Sequence, residues 1–263
     1  MFKLGNIMVD RILDGTALDS NHKILYVIDQ FSDATIEISA ESKDVKDAQG
    51  TLVRRFWQAK SGTFTATNAM LNTDIMAAVT GTDKVNAAAG EGAITAPKIV
   101  KVKAGETPTF ADYKKDIANM SVSAIGKNGG TGKSYTLSTT ASETEYAITT
   151  EGKFTPPTDA DEKEFVVVYN RSVESGIVIR NRSDKFPGTV EFLLRALYAD
   201  PCDKDALKLC YIRIPSLQVS PETSVALKTD TTLDYKGDLQ VDYCSDDKTL
   251  YEIYFAEDDE YDN

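Results

Sequence analysis

The sequence has little of what most enzymes and metal proteins depend on. It holds one histidine, His22, and three cysteines with no C-x-x-C spacing. Zinc sites are built from cysteine and histidine, and nucleophilic triads need a base that only His22 could supply. Because Cys202, Cys210 and Cys244 are odd in number, we predict free thiols rather than a disulfide framework. The sequence therefore predicts a non-enzymatic protein without catalytic residues, cofactor or metal site.

Long apolar runs are also missing. No stretch approaches the roughly 20 residues that a transmembrane helix needs, so we expect no membrane anchor. The first 15 residues carry Asp10, Arg11 and Asp14 and have no uninterrupted apolar segment, so we expect no signal peptide. We therefore expect synthesis in the cytoplasm.

Basic residues are in deficit. The chain has 29 Lys and Arg against 41 Asp and Glu, which gives a net charge of −12. Such a chain repels the phosphate backbone at range, so a basic nucleic-acid-binding groove is excluded. The acidity is consistent with plain solubility or with a surface along which DNA passes without being held.

One segment resembles a nucleotide-binding motif. Residues 126–134 read GKNGGTGKS and end like a phosphate-binding loop, but Lys127 stands where that loop requires a glycine. The motif also needs a helix directly after it, whereas alternating threonines follow here. We therefore predict a hairpin loop that binds no nucleotide.

Strand patterns dominate the chain. Ile24–Ile28 is a continuous apolar run, which predicts a strand buried on both faces. Residues 35–39 and 63–67 alternate, with the threonines of the second segment facing outward. Further strands are predicted at 165–169 paired with 176–179, at 207–214 and at 250–255. Turn residues recur between these runs, which favours an antiparallel sandwich or barrel over βαβ units.

Two segments have helical features. The first is predicted to be a helix, with Asn68 as its cap, Gly81 at its end and one face formed by Leu71, Ile75, Ala78 and Val79. The second, residues 190–199, is rich in helix formers but also alternates between apolar and other positions. Because its neighbours are strands, we predict a strand there.

The middle of the chain differs in composition from both ends. Residues 82–95 are rich in Ala and Gly, and residues 128–151 are rich in Thr, Ser and Gly. We therefore predict that 95–160 is an inserted β-rich module or a set of long loops, which splits a core formed by 1–94 and 161–256. Residues 257–263 carry five acids and predict a disordered tail.

The segment from Thr35 to Val79 carries a family resemblance. An alternating strand leads into a Lys/Asp-rich turn that ends at Gly50, and a basic and aromatic strand follows at Leu52–Trp57. A threonine-rich strand and a short helix complete the segment. This order resembles the tail tube proteins of tailed bacteriophages. Residues 211–222 and 229–244 are similar to segments of phage virion proteins.

The resemblance implies a mainly β fold of tail-tube type, an antiparallel sandwich or barrel with one flanking helix and a β-rich insertion. It also implies copies that form hexameric rings, stacked into a hollow tube in the virion tail. The partners would be the chain itself, other tail proteins and DNA that passes an acidic lumen without specific binding.

In this family the loop between the first long strands reaches the next ring, and here that loop is Ser42–Lys60. Arginine and aromatic residues are enriched at protein interfaces. We therefore expect the contact between subunits at Lys46, Asp47, Arg54, Arg55, Phe56 and Trp57.

Two other functions stay open at this point. The chain is also consistent with another virion component, such as a capsid decoration protein, a baseplate subunit or a fibre module. A carbohydrate-binding β-sandwich would use exposed tyrosines and Trp57 to stack on sugar rings. Electron microscopy of the purified protein distinguishes a tube protein from these, because only a tube protein forms rings or filaments alone.

Overall fold

The structure is a computed structural model, and it describes residues 6–29, 31–87, 93–126, 130–200, 203–222, 224–225, 232–241 and 248–260. The chain divides into two compact units. The first combines Met1–Lys84 with Ile179–Asn263, and the second is Val85–Val178. The fold is mainly β, as the sequence predicts.

The elements are numbered in chain order. The strands are β1 Met8–Leu18, β2 Ile24–Ile28, β3 Phe31–Lys46, β4 Leu52–Asn68, β5 Val85–Ala87, β6 Ile94–Lys103, β7 Ser121–Ile125, β8 Thr131–Ser138, β9 Glu145–Ile148, β10 Phe154–Thr155, β11 Glu164–Val173, β12 Gly176–Val178, β13 Thr189–Asp200, β14 Asp203–Val219, β15 Leu233–Leu239 and β16 Glu252–Glu260. The helix α1 spans Thr73–Thr80.

The first unit is built on one eight-stranded sheet. Its order is β2-β1-β13-β14-β15-β4-β3, and β14 is long enough to pair with β16 as well as with β15. All of these pairings are antiparallel. The sheet curls, so that a Cβ atom on Gly15 of β1 would lie 3.0 Å from the ring of Phe31 in β3.

The core of the first unit lies on one face of this sheet. Phe64 is fully buried, and its ring centroid lies 5.3 Å from that of Phe192 and 6.2 Å from that of Tyr235. The hydroxyls of Tyr26 and Tyr235 are hydrogen-bonded at 2.7 Å within the core. Because burial disfavours the phenolate, the pKa of Tyr26 is raised to about 12.

The helix α1 packs on this core through Ile75 and Val79. Its predicted cap was wrong: Asn72, rather than Asn68, begins the helix, and the Asn72 side chain accepts hydrogen bonds from the backbone N–H groups of Asp74 and Ile75. The predicted end at Gly81 is confirmed. Gly81 has a φ of 64°, a left-handed conformation that glycine adopts without steric cost.

The second unit has a six-stranded sheet in the order β10-β9-β8-β7-β11-β6 and a separate two-stranded sheet of β5 and β12. Only the β8–β9 pair is parallel among the described pairings. An aromatic core supports it, with the ring centroids of Phe110 and Tyr169 5.1 Å apart. The unit spans Val85–Val178, and the insertion expected from the sequence was 95–160.

The structure confirms one of the strand predictions and corrects two others. The prediction of a strand at 190–199 is confirmed by β13. Ile24–Ile28 is a strand, but the prediction that both faces are buried was wrong, because β2 is an edge strand with Ile24, Leu25 and Val27 exposed. The predicted pairing of 165–169 with 176–179 was also wrong, since β11 pairs with β6 and β7 whereas β12 pairs with β5.

The C-terminal segment differs from its prediction over the part that is described. A disordered tail was expected from residue 257, whereas β16 continues to Glu260. Lys208 of β14 is the register partner of Glu260. Residues 261–263 lie outside the described residues.

Candidate functional site: an exposed two-stranded arm

The strands β3 and β4 continue well beyond the core that the first half of β3 and the second half of β4 help to build. All twenty residues from 41 to 60, here called the arm, are exposed. The segment Ser42–Lys60 was expected to be a loop, and the structure corrects this, because β3 and β4 stay paired from Ser42 opposite Trp57 to Lys46 opposite Leu52. The arm is therefore a β-hairpin without a core of its own.

Asp47 builds the turn of the arm. Its carboxylate Oδ1 accepts hydrogen bonds from the backbone N–H groups of Gln49 at 2.9 Å and Thr51 at 2.8 Å. The Gly50 N–H donates to the Asp47 carbonyl at 3.0 Å, and Gly50 has a φ of 83°. The sequence predicts a turn that ends at Gly50, and an aspartate that opens such a turn and a glycine that closes it are typical of tight turns. The turn sets the pairing of Lys46 with Leu52, and a register shift between Val45 and Lys46 then places Val45 opposite Arg54.

One face of the arm carries Arg55, Asp44 and Trp57. The Arg55 guanidinium donates two hydrogen bonds to the Asp44 carboxylate, Nε to Oδ1 at 2.7 Å and Nη2 to Oδ2 at 3.0 Å. These hydrogen bonds hold the pKa of Asp44 below its ordinary value. The same guanidinium lies 5.7 Å from the ring centroid of Trp57, whose side chain is 66% exposed.

The opposite face carries a second pair of the same kind. Arg54 lies 4.8 Å from the ring centroid of Phe56, which is 47% exposed. Val45 is the register partner of Arg54, and Lys43 that of Phe56. Because side chains alternate along a strand, Phe56 and Trp57 point to opposite sides of the hairpin.

Of the six predicted contact residues, the structure brings four together as two arginine–aromatic pairs. Asp47 instead builds the turn, and Lys46 lies beside that turn opposite Leu52. Sequence reasoning missed Asp44, Val45 and Val53 as exposed members of the arm. A hairpin register counted back from the turn through Lys46 and Leu52 would have placed Asp44 opposite Arg54, whereas the register shift between Val45 and Lys46 places it opposite Arg55.

The apolar surface of the arm is large. Its exposed hydrophobic side chains are Val45, Leu52, Val53, Phe56 and Trp57. Clusters of exposed apolar side chains are typical of surfaces that contact a partner. An isolated two-stranded hairpin is only marginally stable in water, which also favours a covering partner.

A second surface lies on the outer face of the sheet, where β4 runs between β15 and β3. Thr63, Thr65 and Thr67 form a row along β4, as the alternation predicts. The register places acids beside this row on both neighbouring strands: Asp33, Glu37, Asp234 and Asp238, with Lys236 and Thr35 flanking Thr65. This face is polar and carries more acids than bases.

The other segments that raised chemical hypotheses have structural roles where they are described. In the GKS-like segment, Gly132, Lys133 and Ser134 lie in the strand β8, and no helix follows. Lys133 Nζ contacts Asp159 Oδ2 at 2.9 Å. Residues 127–129, Cys202 and Cys244 lie outside the described residues. Cys210 is buried and free, and burial raises the pKa of its thiol.

Sequence reasoning did not find the cluster of hydrogen-bond donors around one carboxylate, that of Asp112, in the second unit. The Asp112 carboxylate accepts hydrogen bonds from Lys98 Nζ at 2.8 Å, Tyr169 Oη at 2.6 Å and Arg171 Nη1 at 3.1 Å. Burial alone would raise the pKa of Asp112, but these three donors outweigh it and lower the pKa to about 2. The cluster ties the connection after β6 to the strands β6 and β11.

Two classes of site are absent from the part of the chain that the structure describes. No group of three or more His, Cys, Asp or Glu side chains there is arranged to hold a metal ion. Among those same residues, no helix has the length and hydropathy to cross a membrane.

Comparison with known proteins gives one family. The model of the YomU/Tube protein family matches residues 8–253 of this chain. No curated protein matches it. The matched range contains the arm, the whole of the second unit and most of the first unit. The chain therefore belongs to the YomU/Tube protein family, which agrees with its resemblance to phage tail tube proteins.

Proposed function

We propose that the protein is a structural, non-catalytic subunit of a phage tail that assembles with itself into stacked hexameric rings and so forms the tail tube. The arm is the observation that carries this proposal. Its twenty exposed residues include two arginine–aromatic pairs, the residue types that dominate binding energy at protein interfaces. Membership of the YomU/Tube family supports the same function.

In this proposal the arm reaches the neighbouring ring. Arg54, Arg55, Phe56 and Trp57 form the contact, with Lys46 at its tip. Asp47 acts through the turn, because its carboxylate holds the backbone that sets the register of the arm. Burial of these side chains against other copies supplies the apolar contact that the free subunit lacks.

The threonine row on β4 is proposed to face the lumen. DNA binds proteins mainly through cations that neutralise its phosphates. The outer face of β3, β4 and β15 offers Asp33, Glu37, Asp234 and Asp238 and only Lys236 as a cation among its described partners in register. DNA would pass such a wall without being held. The protein would then be made in the host cytoplasm and reside in the virion tail with other tail proteins.

Negative-stain electron microscopy of the purified protein tests this function. Wild-type protein is expected to form rings and tubes, and the double variant Phe56→Ser/Trp57→Ser is expected to stay monomeric with unchanged circular dichroism. The matched control is Ile99→Ser in the second unit, which removes a side chain that is 70% exposed and is expected to assemble normally. Wild-type protein that stays monomeric at every concentration would contradict the proposal.

A further inference from the structure

The two units differ in how they protect the free edges of their sheets. A strand at a sheet edge presents unpaired N–H and C=O groups, which can pair with a strand of another chain. The strand β2, at one edge of the first sheet, reads ILYVI and exposes Ile24, Leu25 and Val27. It contains neither charge nor proline, the features that usually prevent such pairing.

The strand β6 is an edge strand of the second unit. All ten of its residues pair with β11 on one side, and no described strand pairs with its other side. The opposite edge of the same sheet is β10, which has only two residues. The long edge of this sheet, at which another chain has room to pair, is therefore β6.

Much of the sequence of β6 favours the addition of a strand. Residues 98–103 read KIVKVK, and valine and isoleucine are among the residues most enriched in strands. The side chain of Ile99 is 70% exposed on this edge strand. Short segments of β-branched residues at a free edge are prone to aggregation. Without further protection, such an edge would let the second units of different copies pair with each other.

One proline and three lysines interrupt this pattern. Pro97 has no backbone N–H and cannot donate a hydrogen bond to an added strand. The ammonium group of Lys98 binds Asp112 at 2.8 Å, whereas those of Lys101 and Lys103 have no ion-pair partner among the residues that the structure describes. Because β6 contains no acidic residue, no alignment of two β6 strands pairs a lysine with an acid.

We propose that Pro97, Lys101 and Lys103 are specificity-determining residues, which prevent the second units of different copies from pairing edge to edge at β6. This inference rests on the proposed function, because assembly is what brings many copies close together. The lysines repel another β6 strand before contact, and Pro97 removes a hydrogen bond from any pair that forms. Copies then join through the first unit, and their second units stay separate.

Substitutions at the edge, made in a chain that is not expected to form tubes, test the proposal. The parent is the variant Phe56→Ser/Trp57→Ser, and the edge variant adds Pro97→Thr, Lys101→Thr and Lys103→Thr. Light scattering after size-exclusion chromatography measures the mass of each. The edge variant is expected to associate at concentrations about tenfold or more below those of the parent, because like charges across strands are destabilising.

The matched control and a crosslink identify the surface that associates. Lys114→Thr/Lys115→Thr removes the same charge from exposed positions of the same unit and is expected to leave the parent monomeric. A photoreactive phenylalanine analogue at Ile99 is expected to crosslink to residues 94–103 of another copy in the edge variant only. Association no stronger than in the control would overturn the inference, and so would crosslinks that map outside 94–103.

The single variant Pro97→Thr provides a second measurement, which also decides the matter if the edge variant fails to fold by circular dichroism. Its lysines still repel another copy, and about 1 M salt screens that repulsion by shortening the Debye length to about 3 Å. Pro97→Thr in the same parent is expected to associate in high salt and to stay monomeric in low salt. Folded Pro97→Thr whose mass does not depend on salt would contradict the role of the lysines.

Failure of the proposed function is distinguishable from failure of this inference. Wild-type chains that form no tubes by microscopy contradict the proposed function alone. The same edge substitutions in the wild-type chain then measure the protection of β6 directly, with the same two results in support of the inference or against it.

Discussion

The β3–β4 ladder is antiparallel along its whole length, but its two halves have different surroundings. Near Asn68 the ladder alternates, with Phe64 and Ala66 in the core and Thr63 and Thr65 outside. From Glu41 to Ser61 every residue is exposed, although the two strands stay paired up to the Asp47 turn. The base of the ladder is therefore stabilised by its own subunit, whereas the arm is not.

Nothing within one subunit accounts for the exposure of the apolar side chains of the arm. At the base, the apolar side chains gain stability by leaving water, at roughly 25 cal/mol for each Å² buried. In the arm, Phe56 and Trp57 gain nothing comparable until another molecule covers them. In the proposed function the arm serves the assembly and the base serves the fold, and paired substitutions can separate these two roles.

The largest expected effect on stability comes from removing a buried aromatic ring at the base of the ladder. Removing an exposed ring of the arm is the matched comparison. Phe64→Ala deletes a fully buried ring that contacts Phe192 and Tyr235, and we expect it to lower the free energy of unfolding by about 3–5 kcal/mol. Phe56→Ala is expected to change it by less than about 0.5 kcal/mol, because that ring is exposed in the free subunit. Urea unfolding followed by far-UV circular dichroism measures both.

The same two variants should behave in the opposite order during assembly. Phe56→Ala should reduce tube formation at a concentration where the variant is fully folded. If Phe56→Ala instead destabilised the subunit as much as Phe64→Ala, the arm would be part of the fold and the distinction would fail.

A smaller effect on stability is expected from replacing the Asp112 carboxylate in the second unit. The carboxylate of Asp44 on the arm is the matched comparison. Asp112 accepts three hydrogen bonds in the second unit, and Asp44 pairs with Arg55 on the exposed arm. Lowering the Asp112 pKa from 3.8 to about 2 corresponds to about 2 kcal/mol of stability at neutral pH, so Asp112→Asn should lose that amount. Asp44→Asn should leave unfolding nearly unchanged, since exposed ion pairs contribute little.

The pH dependence of this effect has a definite sign. Because the pKa of Asp112 is lowered in the folded state, its contribution is complete above about pH 4 and is lost as the pH falls through about 2. The stability difference between wild type and Asp112→Asn should therefore shrink over that interval in thermal unfolding experiments. A difference that grows on acidification would contradict the assigned hydrogen bonds.

The smallest effect concerns the helix that packs on the base. Asn72→Ala removes the side-chain oxygen that accepts from Asp74 N–H at 2.8 Å and from Ile75 N–H at 3.3 Å, and should cost about 1 kcal/mol. Asn72→Asp keeps an acceptor at the cap and should stay close to wild type in urea unfolding. Neither variant should alter tube yield under folding conditions, and a specific loss of tubes would show that α1 takes part in the contact.

The base of the ladder could be predicted from the sequence and the arm could be predicted only in part. Alternation along 63–67 shows in the sequence because one face is buried. The arm has no buried face, so its pairing left no such pattern, and its Lys- and Asp-rich stretch was interpreted as a loop. The aromatic and arginine residues were identified from their types, whereas their division between two faces required the register.

Other errors have a related cause. The partners of β11 and β12 are β6, β7 and β5. Their register partners lie 41 to 93 residues away in the chain, from Phe165 with Ala124 to Val178 with Val85, and local patterns do not encode such pairings. Asn68 and Asn72 are equally good caps by type. The extended backbone of Asn72, with φ −96° and ψ 125°, is what makes it the cap.

Hydrogen exchange of the backbone amides, compared between free subunits and assembled tubes, tests the central claim most directly. We predict that amides of residues 41–60 exchange rapidly in the free subunit and become strongly protected in tubes. Amides of residues 62–68, beside the core, should be protected in both states. Arm amides that exchange equally fast before and after assembly would show that no other copy covers the arm, and would contradict the account.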